Sequence, residues 1–304
     1  MSVLEQQLPP VSGPDPRYAL TASGNLKRRQ AVSRVFVGLT VAAAAAAVAV
    51  LLLLIYYTAK QGIGQISWQF LTAKLPPYDG VGGGIGPALA GTFELVLIAT
   101  VIALPVGVLT ALYLTEYAGR RAGAIVRTAV EQMAGLPTIV IGVFVAGLIT
   151  NHLGQSAIGG GIALSVVEVP LIARASLEAL ARVPKSSREA ADALGVARWR
   201  TIIGVTLPTA SGGIVTATIL AVARAAGETA PVLFTCSVFT QAYQLDPRHA
   251  VPSVPYEIWQ LLNTGYKPAI EKAWGAAFLL MFVILAVNIA ARVWLRHSER
   301  KRGL

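Results

Sequence analysis

Charged side chains are scarce in this chain of 304 residues, 13% of the total, where an ordinary soluble domain carries about 25%. Cysteine is nearly absent. The single Cys236 excludes an intrachain disulfide framework and any cysteine-based zinc site. His152, His249 and His297 are too scattered to form a metal cluster. No Gly-Lys dipeptide occurs, so there is no phosphate-binding P-loop and the chain cannot itself be an ATPase. No nucleophile–base constellation stands out either, which leaves a membrane-embedded enzyme without support. A hydrophobic content of 55% excludes intrinsic disorder.

What is present is a series of long apolar runs. Val35 to Ala59 is 25 residues without a charge, and about 20 apolar residues cross a ~30 Å hydrocarbon core as a helix. A signal peptide would have a shorter apolar region, of about 7–15 residues, so this run reads as a retained helix. A second span covers about Pro87–Thr115. Gln132 to Val167 is uncharged for 36 residues, enough for two crossings, with breaks expected at 151–156 and at Gly159-Gly160-Gly161. The fifth span is expected from about Thr209 to Cys236, with Arg224 near its middle, and the sixth from Ala273 to Ala291. The fold class is therefore all-α, a polytopic membrane protein with six transmembrane helices.

The net charge is +10, and the basic residues lie between the apolar runs, so nucleic-acid binding is not implied. Eighteen Lys and Arg residues fall in the N-terminal tail, the second-to-third loop, the fourth-to-fifth loop and the C-terminus, against five on the opposite side. The richer side should be cytoplasmic, which puts both termini there. Residues 1–33 read as a flexible cytoplasmic tail, and 34–304 as the transmembrane domain with an informative loop at about 184–207.

In that loop, Ser186 or Ser187 can cap a helix, with Glu189 at capping-box distance from Ser186. Gly195 can end the helix in a left-handed turn. By composition alone the segment could be a surface helix anchored by Trp199. Span five carries Arg224, four residues before Glu228 and therefore on the same helical face. Pro231 leaves the carbonyl of Gly227 without a helical partner. A structural ion pair and a substrate-pathway pair remain equally open from physics alone. Span four carries Glu168, a candidate partner for Arg224, and Arg174, which can pair with Glu178 or line the path. Glu94 and Glu131 sit nearer span ends, in solvated or capping roles. An arginine fork suits an oxyanion.

The spacing Glu189-Ala190-Ala191, then Gly195, then Leu207-Pro208 resembles the EAA loop of ABC-importer permeases, with Val205 where isoleucine is usual. Arg224-Ala225-Ala226-Gly227-Glu228-Thr229-Ala230-Pro231 resembles the span-five signature of phosphate-specific ABC permeases. Gly82-Gly83-Gly84-Ile85 and Ala90-Gly91-Thr92 are similar to the same family. The likeness is to its PstA-type members and implies a type I ABC importer permease that moves inorganic phosphate across the cell membrane. It also implies Arg224, Glu228, Glu168 and Arg174 as pathway residues. Glu189, Ala190, Ala191, Gly195, Leu207 and Pro208 would couple the chain to an ATPase. The implied partners are a PstC-type second permease, a PstB-type ATPase dimer, an extracytoplasmic phosphate-binding protein and membrane lipid. No cofactor is implied in this chain; ATP and Mg are used by the partner ATPase. A permease for another oxyanion such as sulfate or molybdate, or a membrane subunit that signals phosphate status, are the alternatives.

Overall fold

The computed structural model describes residues 25–77, 80–238, 242–244 and 246–301. Most of the tail expected at 1–33 lies outside them. Every regular element among the described residues is helical. Five helices are long and apolar enough to cross a membrane, and a bent pair brings the number to six if it counts as one span. The chain divides into two compact units at Tyr56/Tyr57.

The first unit consists of the N-terminal part of helix α1 (Leu26–Gly62). The helix starts earlier than the expected tail boundary: Leu26-Lys27-Arg28-Arg29 contains good helix formers and no proline or glycine. Val35, Phe36, Leu39 and Leu51 to Leu54 are exposed along it. Such a surface suits a hydrocarbon solvent.

In the second unit, a short helix α2 (Trp68–Thr72), capped by Ser67, precedes a glycine-rich turn. There Gly84, Ile85 and Gly86 donate their N–H groups to the carbonyls of Lys74, Phe70 and Ala73. Gly84 and Gly86 thus shape a turn, their N–H groups already occupied by these carbonyls. Helix α3 (Gly86–Leu112) continues through a π-helical turn at Tyr113–Tyr117.

Helix α4 (Arg120–Gly135) meets α5 (Thr138–Val145) at a 99° bend, with Pro137 at the N-cap of α5. The third crossing, if the bent pair counts as one span, therefore covers Arg120–Leu153 with its bend at Pro137, and does not begin at Gln132 as the uncharged run suggests. Proline restricts its predecessor Leu136 to extended backbone and ends α4 there. After a π turn, a short helix α6 (Asn151–Leu153) ends at Gly154 (φ 79°). Ser156 then caps α7 (Ala157–Ala181) by accepting from Gly159 N at 3.1 Å.

The break expected at Gly159-Gly160-Gly161 does not occur; all three lie inside α7. They are packing positions. A Cβ on Gly160 would collide with Leu95 and Cys236, and one on Gly161 with Ile98. On α3 the residues Gly91, Leu95, Ala99, Ala103, Gly107 and Ala111 recur every fourth position and are buried. Small residues let two membrane helices approach closely, where dispersion rather than water exclusion holds them. The α3–α7 seam is the most extensive helix contact among the described residues. Over its most apolar stretch α7 is 67% buried, against 33% for α3.

Helices α8 (Lys185–Ala193) and α9 (Arg198–Thr201) form the expected loop. A π turn at Ile202–Thr206 leads into α10 (Leu207–Ala225). Beyond it come α11 (Ala230–Thr235), α12 (Val254–Asn263) and α13 (Lys267–Lys301). The fifth crossing thus runs from Arg198 to Ala225 and stops eleven residues before the expected Cys236. Gly227 and the N–H-lacking Pro231 prevent the helix from continuing.

Candidate functional site

The helix break between α10 and α11 gathers the charged pair. Arg224 lies in the last turn of α10, not at mid-span, and Glu228 in the turn that follows. Gly227 N donates to Arg224 O and Glu228 N to Ala225 O, so tight turns finish the helix. The i,i+4 relation survives: Arg224 Nε lies 3.5 Å from Glu228 Oε1. The arginine side chain is 59% exposed and the glutamate 16%. A cation is thus held at a helix end, braced from one side by a carboxylate.

Glu168 does not partner Arg224. It is fully buried in α7, and its Oε2 accepts from Thr100 Oγ1 of α3 at 3.3 Å, across the seam. Its other oxygen has no hydrogen-bond partner among the described residues. Arg174 and Glu178 are both exposed and form no ion pair with one another. Glu94 departs from a solvated role: both its carboxylate oxygens are buried without a hydrogen-bond partner among the described residues.

The loop forms the elbow that its sequence suggests, with a different start. Pro184, not Ser186 or Ser187, stands at the N-cap of α8, and no side chain caps it. Proline is suited to the start of a helix because its fixed φ is already helical. At the other end Gly195 has φ 68°. Gly195 N donates to Asp192 O and Val196 N to Ala191 O, the paired bonds of a Schellman motif. Glu189 and Ala190 face outward with Leu194, whereas Ala191 is buried. Leu207 and Pro208 are not part of the exposed elbow. Leu207 packs on the cluster of Leu112, Leu180 and Ile202, and Pro208 occupies the first turn of α10.

Two features were not legible in the sequence. Glu116, in the π turn after α3, is reached by Arg188 of α8 at 3.1 Å and by Arg198 of α9 at 3.8 Å. Its position beside an arginine-rich loop was the available signal. Glu257 is fully buried on α12, and neither oxygen has a hydrogen-bond partner among the described residues. It falls in register between Val254 and Leu261 on the apolar face. α12 lies outside the candidate spans, and burial pushes the Glu257 carboxyl up to about 7.

Residues 103–303 match the family described as binding-protein-dependent transport system inner membrane component. The chain is 35% identical to the phosphate transport system permease protein PstA of Yersinia pestis, over 87% of this chain and 90% of that protein. It is 38% identical to phosphate transport system permease protein PstA 1 of Mycobacterium tuberculosis, over 73% of each chain. Among solved structures, an inward-facing MetNI methionine ABC transporter chain superposes with a TM-score of 0.55 at 24% identity, covering 70% of this chain and 94% of that one. That likeness supports the fold: a type I ABC importer permease. With the apolar helices, the elbow and these matches together, the chain belongs to the family of binding-protein-dependent transport system inner membrane components.

Proposed function

We propose that this chain is a permease subunit of an ATP-driven importer that moves inorganic phosphate into the cell. The observation that carries the substrate class is identity of 35–38% over most of the chain with relatives named as phosphate transport permeases. The charged break agrees with it chemically. An arginine inside a span is costly when it meets lipid. A 59% exposed Arg224 therefore belongs on a face that a second permease or an aqueous path covers. There its guanidinium suits a tetrahedral oxyanion, and Glu228 limits the affinity so that the anion can leave. Glu168, enclosed in the seam, offers an anion no foothold in this conformation and serves helix packing. Arg174, exposed toward the end of α7 nearer the elbow, is a second basic candidate along the path.

The partners follow from the same reading: a PstC-type second permease, a PstB-type ATPase dimer that uses ATP and Mg, and an extracytoplasmic phosphate-binding protein. Both termini and the elbow then lie in the cytoplasm, and the outward residues Glu189, Ala190 and Leu194 meet the ATPase. Gly195 keeps the two arms of the elbow at a fixed angle. Closure of the ATPase dimer displaces the elbow, and the helices follow.

The test is ATP-dependent uptake of labelled phosphate by the complete transporter in vesicles, with sulfate and molybdate as competitors. Phosphate uptake resistant to both competitors is expected. Uptake of sulfate or molybdate in place of phosphate overturns the substrate assignment. An Arg224→Ala complex that assembles should lose uptake by on the order of 10- to 100-fold, the range for one hydrogen-bonded charge. Full uptake by that variant removes Arg224 from the path.

A further inference from the structure

The elbow touches the rest of the molecule at few points. Ala191 is the one buried residue of α8, and Gly195 has open space around it. α9 runs on through the π turn into α10, while α8 meets the ends of α3 and α7 through side-chain contacts. Glu116 sits where they converge. It belongs to the π turn that prolongs α3, and its side chain is only 8% exposed. Arg188 approaches it from one arm of the elbow and Arg198 from the other, so a single carboxylate faces both.

Each arginine has a second hold on the same region. Arg188 Nη2 also donates to Leu180 O, near the end of α7, at 3.1 Å. Arg198 lies over the ring of Tyr117, next in sequence to Glu116, at 5.0 Å. The ends of α3 and α7, the two helices of the seam, thus grip the two arms of the elbow. At 3.1 Å the Arg188–Glu116 contact is a close ion pair, yet Glu116 Oε1 receives no aligned hydrogen bond. Charge attraction depends weakly on angle. Such a latch holds through a small rotation of α8 that would break a directed bond.

We infer that Glu116 is a positioning residue that latches both arms of the elbow to the α3–α7 seam and passes their motion to it. The inference rests on reading 184–207 as the coupling loop. It assigns Glu116 no contact with substrate or nucleotide. Its removal should therefore separate ATP hydrolysis from transport while the seam remains folded.

The test is the number of anions taken up per ATP hydrolysed by the complete transporter in vesicles, with Glu116→Gln in this chain. That ratio should fall at least about fivefold, the lower end of ordinary coupling between sites. Glu116→Asp, which keeps a carboxylate facing both arginines, should retain much of it. Should Glu116→Gln fail to assemble, Arg188→Gln on the exposed elbow is read in the same way, with the same fall expected. A wild-type ratio in Glu116→Gln or in Arg188→Gln overturns the latch, as does a Glu116→Asp variant no better than Glu116→Gln. The ratio is measured with whichever anion the wild-type complex transports, so the latch and the phosphate assignment stand or fall separately.

Discussion

The α3–α7 seam and the elbow are two regions of the second unit held by different forces. The seam sets glycines against larger apolar side chains, Gly107 against Ile172 and Gly160 against Leu95, with one Thr100–Glu168 hydrogen bond across it. The elbow is held by charge: one glutamate, two arginines, an aromatic ring and a carbonyl. Close packing gives way abruptly when a neighbour shifts, because dispersion falls off within an ångström. Charge attraction falls off slowly and tolerates movement. A rigid element and a movable one are thus joined at Glu116.

The largest effect should come from breaking the seam. A side chain at Gly107 would meet Ile172 at 2.8 Å. Gly107→Leu should lower stability by about 2–3 kcal/mol or prevent folding, as overpacking does, seen as a fall in the thermal midpoint of the detergent-solubilised protein. Gly147→Ala, with open space around it, should stay within about 0.5 kcal/mol of the parent. Equal losses at the two glycines would remove the distinction on which the seam rests.

Next in size is the elbow itself. Gly195 holds φ 68°, a conformation that costs other residues roughly 1–2 kcal/mol. Gly195→Val should unfold α8 locally, lower the anion-to-ATP ratio several-fold and leave the thermal midpoint almost unchanged. A large loss of midpoint would mean that the elbow is part of the folding core. Salt sharpens the same contrast at smaller scale. Raising the ionic strength from about 0.05 to 0.5 M shortens the Debye length to a few ångströms. Amide exchange in α8 should then accelerate while that in α7 is unaffected. Equal responses would contradict a charge-held elbow.

A pH-dependent effect lies away from both contacts. The Glu257 carboxyl is raised by burial to about 7 from its ordinary 4.5. The folded protein therefore holds this proton more tightly than the unfolded chain does. The stabilisation is fully present below about 4.5 and is lost as pH rises through about 7. Thermal midpoints measured across that window should fall with rising pH, and Glu257→Gln should flatten the slope. An unchanged slope would place the proton elsewhere.

Local signals were readable in the sequence. The apolar runs gave the membrane helices because each satisfies its own backbone hydrogen bonds. The Arg224–Glu228 pair and the Gly195 turn were legible because their partners lie within a few residues. Glycine in the run Gly159–Gly161 misled, since inside a membrane the same residue that breaks a helix in water makes room for its neighbour. The placement of Arg224 shifted from mid-span to helix end because Gly227 and Pro231 act together.

The sequence by itself determined an all-helical membrane chain, its basic loops, the charged helix break and the elbow, all set by chemistry within one or two helical turns. Only the tertiary structure decided that Glu168 turns to Thr100, 68 residues away, and that Glu116 gathers Arg188 and Arg198. The reason is physical. A buried carboxylate takes whatever donor the packing of distant helices brings within reach, and that juxtaposition has no period or spacing along the chain.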